Sequence, residues 1–305
     1  MKHTYLIIFA LIAVFVVAGC SAPQTAISQA VQTERISVAT TFYPLYDLTK
    51  SILGDKGTAY SIVPAGVEPH DYESNPTDFQ KLSDADAFVT MGVEFAEFED
   101  KLISSAPASV KVISAGQGIS QLSASDDEQE EHFGGKDPHI WISPKNAQKM
   151  ANNIMNGLIQ VNPDNSQYYL QNGQKVINDL NALDTEFADG LKNCHKDTIL
   201  VGHNAFSYLG RDYGFKTLFL SGLEPEAEPT PQELAALVNA AKEKDIKYVF
   251  YEELVDPRIS KIIADEVGAQ TMVLSPLEGT TNPNDNYFTL MRQNLKNLEV
   301  ALECQ

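Results

Sequence analysis

The chain has 305 residues, 43% of them hydrophobic, and a formal net charge of -19 at pH 7. That length supports a substantial core, most naturally split between two domains. The acidic balance disfavours a nucleic-acid partner, because phosphate contacts need clustered Lys and Arg. It is compatible with a field that draws in cations.

Met1-Lys2-His3 is a short basic start, and Tyr5 to Val17 is an apolar run leading into Ala18-Gly19-Cys20. The run is short for a bilayer span, and small residues stand where processing occurs. Residues 1–20 are therefore expected to be an export signal ending in a lipidated Cys20. One acylated terminus would then hold the protein on the outer face of a membrane. Residues 21–34, rich in Ala, Ser, Thr and Gln, read as a flexible tether. Cys194 and Cys304 are the remaining cysteines. In an oxidising compartment they are disulfide candidates, the alternative being two separate buried thiols.

From Arg35 the hydrophobic pattern alternates between short strands and helices. Strands are expected at 35–41, 58–64, 87–91 and 109–114, with helices at about 44–53, 79–83 and 97–103. Residues 116–136 interrupt the pattern with a run of acids around His132, expected to be a solvated loop. Asp137-Pro-His-Ile-Trp-Ile-Ser-Pro144 restores order and leads into a helix over 145–159. Asn162-Pro163-Asp164 opens a long helix, with Tyr169, Val176, Leu180, Leu183 and Phe187 as its imperfect apolar stripe. The alternation then restarts, with strands at 198–201, 217–220, 246–251 and 271–274 and a terminal helix at 287–302. This pattern predicts an α/β fold with two parallel-sheet lobes, 35–162 and 194–305, joined by a helix over 163–193.

Three histidines fall where such sheets gather ligands. His70 follows the second strand, His139 precedes a helix, and His203 comes directly after Val201-Gly202. Three neutral imidazoles suit a borderline-soft divalent cation such as zinc. Taken singly, each has a blander role: a solvated loop residue, a helix cap beside Trp141, or a donor to a backbone carbonyl. A zinc hydrolase using an open coordination site is the competing class, with Glu68 and Glu252 as the nearest acids to serve as its base. No nucleophile elbow, H-E-x-x-H helix, P-loop or dinucleotide fingerprint is present.

Eight ordered segments carry a further signal. Among them are TFYPLYDLTKSILGD (41–55), GVEPHDYESNPTD (66–78), DPHIWISPKNA (137–147), GHNAFSYLGRDYG (202–214), EPEAEPTPQEL (224–234) and VFYEE (249–253). With them the chain resembles the metal-specific solute-binding lipoproteins of zinc and manganese ABC importers. The resemblance implies two lobes joined by a long rigid helix, a metal between them, and a monomer that delivers the ion to a membrane permease. It carries His70, His139 and His203 over as metal ligands. Where the family often has an aspartate as fourth ligand, this chain has Ser275, so water or Glu68 is expected to complete the set. Three imidazoles without that aspartate favour Zn2+ over Mn2+. His132 is a candidate for gathering metal. Glu224, Glu226, Glu228 and Glu252 are expected to form an anionic rim, some of them holding imidazole N–H groups.

Overall fold

The structure, a computed structural model, describes residues 35–93, 95–123, 135–225, 229–280 and 282–305. The expected leader, tether and Cys20 lie outside the described residues, as do His132, Glu226 and Glu228.

Strands β1 (Ile36–Thr40), β2 (Gly57–Ser61), β3 (Ala87–Thr90) and β4 (Lys111–Ser114) form one sheet in the order β2-β1-β3-β4, every pair parallel. Strands β5 (Thr198–His203), β6 (Lys216–Ser221), β7 (Tyr248–Tyr251) and β8 (Gln270–Val273) repeat it as β6-β5-β7-β8. Each sheet thus reverses its strand order between its first and third strands, the place where a crevice opens at the carboxyl ends. The near-continuous apolar runs of β3 and β5 match strands covered on both faces.

The helices start where the sequence supplies caps. Asn75 and Asp78 form a reciprocal capping box on α2 (Pro76–Ser83), with Pro76 in the first turn. Ser143 accepts from Asn146 N to open α4 (Pro144–Val161), and Asn286 caps α9 (Tyr287–Ala301). The remaining helices are α1 (Tyr43–Leu53), α3 (Glu97–Ser105), α5 (Ser166–Gly190), α6 (Ser207–Tyr213), α7 (Pro231–Glu243) and α8 (Arg258–Val267).

Helix α5 is 25 residues long and packs against α1, α4 and α9. Its stripe of Tyr169, Val176, Leu180, Leu183 and Phe187 is buried, each side chain contributing about 1.5–3 kcal/mol relative to exposure. The gap in that stripe is Gly173. A Cβ there would come within 2.5 Å of Met155 Sδ on α4, so the missing side chain is what lets the helices approach. Just beyond α5, Cys194 forms a disulfide with Cys304, closing a separation of 110 residues. Of the two alternatives for these cysteines, the structure has the bond.

Several hydrogen bonds join the N-terminal sheet's side to the C-terminal one. Trp141 Nε1 donates to Pro276 O at 2.7 Å, and Tyr287 OH donates to Trp141 O at 2.6 Å. Tyr287 N donates to Asp47 Oδ2 at 2.9 Å, and Tyr208 OH to Asp137 O at 2.7 Å.

One buried acid lies at the switch point of the first sheet. Glu99 Oε1 accepts from Thr41 Oγ1 at 2.5 Å and from Met91 N at 2.9 Å, tying the ends of β1 and β3 together. Burial pushes its carboxyl up to about 7 despite these donors. Because the folded value exceeds the ordinary 4.5 of a glutamate, its contribution to stability is complete below about pH 4.5 and lost as pH rises through 7. The difference is on the order of 3 kcal/mol. Thermal midpoints of Glu99→Gln and the parent chain, compared at pH 5 and pH 8, should shift in the variant's favour at the higher pH. Parallel profiles would show that Glu99 does not titrate there.

Candidate metal centre

Among the described residues, one group can hold a metal ion: His70, His139, His203 and Glu278, whose ligand atoms all lie within 4.8 Å of one another. His139 Nε2 and His203 Nε2 are 3.2 Å apart. Glu278 Oε1 is 3.2 Å from His70 Nε2 and 3.6 Å from Nε2 of both His139 and His203. A tetrahedron with bonds of about 2.0–2.1 Å has edges of roughly 3.3–3.4 Å, so these spacings suit one small cation.

Each donor is placed by its own element. His203 is the last residue of β5, fully buried rather than in the loop beyond it. Its Nδ1 donates to Glu252 Oε1 at 2.7 Å, and Glu252 directly follows β7, the neighbouring strand at the switch point. Gly202 leaves room for that carboxylate, since a Cβ there would meet Glu252 Oε1 at 2.9 Å. His139 precedes a single 3-10 turn, Ile140–Ile142, and its Nδ1 donates to Asp137 Oδ1 at 2.9 Å. In both rings the bond at Nδ1 fixes the ring's orientation and turns Nε2 to the centre. His70 sits on the loop after β2, where its backbone N–H donates to Glu68 Oε1 at 3.0 Å.

The three histidines singled out in the sequence come together, but the carboxylate among them is Glu278, which sequence reasoning passed over. Ser275 has other work. Its backbone is bracketed by Asn294, and its hydroxyl accepts from Leu277 N at 3.3 Å. Leu277 takes a left-handed φ of 59°, and the turn swings the next residue back into the cluster. An acid three residues past the expected position, between that turn and Gly279, was the available signal. Glu68 lies behind Glu278, outside the group of four. Glu252 holds an imidazole, and Glu224 lines a cavity of about 550 Å³ outside His70 together with Asp71, Glu73 and Glu97.

Burial alone would raise Glu278, but His203 and His70 hold its carboxyl far below the usual range. Burial, followed by the charge of Glu278, pushes Glu68 up to about 9. His139 is pushed down, mainly by burial, so its ring is neutral at pH 7. Burial would do the same to His203, but the carboxylates of Glu252 and Glu278 prevail and raise it well above its ordinary value. A ligand imidazole must be neutral, so binding of a cation near pH 7 should release about one proton. Calorimetric titration in buffers of different ionisation enthalpy measures this; an enthalpy independent of buffer would refute it.

Two parallel sheets aiming their strand ends at one buried set of imidazoles and a carboxylate define a cation-binding protein of the two-lobed solute-binding class. The chain belongs to the family described as "ZnuA: Zinc-uptake complex component A periplasmic", whose model matches residues 38–301. It is 35% identical over 302 residues to the high-affinity zinc uptake system protein ZnuA of Bacillus subtilis, covering 94% of this chain and 93% of that one. It is 34% identical over 311 residues to the zinc-binding lipoprotein AdcA of Streptococcus pneumoniae, covering 98% of this chain but only 61% of the longer relative. The solved Zn(II)-bound ZnuA-like domain of that AdcA superimposes with a TM-score of 0.76 at 33% identity, over 88% of this chain and 99% of the domain.

Proposed function

We infer that this chain captures Zn2+ outside the cytoplasm and hands it to the permease of an ABC importer. The observation that carries this is the buried group of three Nε2 atoms and one carboxylate oxygen, with Asp137 and Glu252 fixing two of the rings. His70, His139, His203 and Glu278 are the ligands in this reading. Such a donor set suits zinc, whereas manganese prefers a larger share of oxygen. Four protein donors also favour capture over hydrolysis, because a catalytic zinc keeps one position for water.

The N-terminal 20 residues serve as the export signal, Cys20 carries the lipid, and 21–34 form the tether. Residues 35–162 and 194–305 act as the two lobes with 163–193 between them, and the protein works as a monomer. Membership of a zinc-uptake family, together with the basic-apolar-cysteine start, supports this arrangement.

The test is element-resolved analysis of protein stripped and reloaded from an equimolar mixture of divalent metals, followed by competition titration with zinc and manganese. One equivalent of zinc, bound far more tightly than manganese, is the expected result. Retention of manganese in its place would overturn the metal assignment.

A further inference from the structure

Behind Glu278 lies a small chamber of about 10 Å³, lined by Leu254, Pro276 and Gly279 and by Glu68, Glu252 and Glu278. Glu253 also borders it, but accepts from the Ser275 side chain. The first three acids each use one oxygen elsewhere. Glu68 Oε1 takes the His70 N–H, Glu252 Oε1 takes His203 Nδ1, and Glu278 Oε1 faces the imidazoles. Their other oxygens are buried and have no hydrogen-bond partner among the described residues. Glu252 and Glu278 are only 5% and 2% exposed.

Leaving buried oxygens of this kind without a partner is destabilising, more so when they are charged, and calls for one. Among the described residues, no group bonds to them. The group of ligand atoms close enough to share a cation takes in neither Glu68 nor Glu252. A buried water requires roughly 10–15 Å³ and two to four polar partners, which this chamber provides.

We propose that the chamber is a binding site for one structural water, which links Glu68 and Glu252 to the outer oxygen of Glu278. One water has two hydrogens and two lone pairs, enough to bridge three carboxyl oxygens when one of the carboxyls carries a proton. The inner oxygen of Glu278 is thereby left for the metal, and Glu68 becomes a positioning residue that acts through the water rather than a ligand. This rests on the assignment of Glu278 as a ligand of the captured ion.

The experiment combines a high-resolution crystal structure of the zinc-loaded protein with two variants, Glu68→Leu and Glu68→Gln. The parent should show one water within hydrogen-bonding distance of Glu278 and at least one of the other two acids. Glu68→Leu should weaken zinc binding about 10- to 100-fold, the usual effect of removing an outer partner of a metal ligand. Glu68→Gln, which still offers an acceptor to the water and to His70 N, should restore most of the affinity. X-ray absorption of Glu68→Leu should show a second oxygen at the metal as Glu278 turns both oxygens inward; a role confined to shaping the His70 loop would leave the metal's neighbours unchanged.

Density for Glu68 directly on zinc, a chamber without water, or unaltered affinity in Glu68→Leu would each overturn the proposal. Weak zinc binding by the parent protein would instead count against the proposed function, since the water is read from density independently of affinity.

Discussion

Replacing Glu278 by Ala is expected to weaken zinc binding about a hundred- to several-thousandfold. The carboxylate is 2% exposed and stands 3.2–3.6 Å from three imidazole nitrogens, so its loss would leave a cation captured there, as proposed, without the one carboxylate of the group of four. Removing one member of a buried ionic set costs about 3–5 kcal/mol, and each 1.4 kcal/mol or so is a factor of ten. The same change takes away one of the two carboxylates that keep His203 charged, so less proton should be released on binding. Competition against a chromophoric chelator gives the affinity, and circular dichroism confirms that the variant is folded. An affinity within threefold of the parent would remove Glu278 from the ligand set.

The disulfide should account for a large share of thermal stability. Cys194 and Cys304 enclose a separation of 110 residues, for which the loss of unfolded-state entropy stabilises by about 4–5 kcal/mol. For a chain of this size that corresponds to a drop in the unfolding midpoint of about 10 °C on reduction, or in a Cys194→Ser/Cys304→Ser double variant. Calorimetry with and without reductant measures it. Zinc affinity should change little, because the bond lies at the end of α5 and none of the metal donors touches it. An unchanged midpoint, with both thiols free by mass analysis, would refute the prediction.

Most of the fold was legible because its signals are local. Short apolar runs locate the strands, and Asn75-Pro76 and Ser143-Pro144 mark helix starts by capping chemistry that needs no tertiary information. The long helix was legible too, although its interrupted stripe made sense only once Gly173 was seen against Met155. The histidines could be found because each follows a strand or precedes a helix.

Glu278 was not legible for a different reason. Its position depends on a left-handed residue, Leu277, on the Ser275 hydroxyl capping that turn, and on Trp141 holding the Pro276 carbonyl from 135 positions away. Sequence spacing counts residues, and here the backbone doubles back between 275 and 278. The partnership of Glu252 with His203 was only partly visible, because it depends on β5 and β7 being neighbours despite the β6 segment between them in sequence.

The bonds from Trp141 to Pro276 and from Asp47 to Tyr287 clamp both ends of the segment that carries Glu278. Trp141 and Asp47 stand with the first sheet, next to His139 and on α1. Counted along the chain, the donors divide evenly, two before the long helix and two after it. Counted by what holds them, Glu278 belongs to both sides: its segment leaves β8 of the second sheet, where Leu274 N donates to Tyr251 O, and is then clamped by Trp141 and by Asp47 of α1. Glu278 is thus the one member of the cluster moored to both halves of the chain.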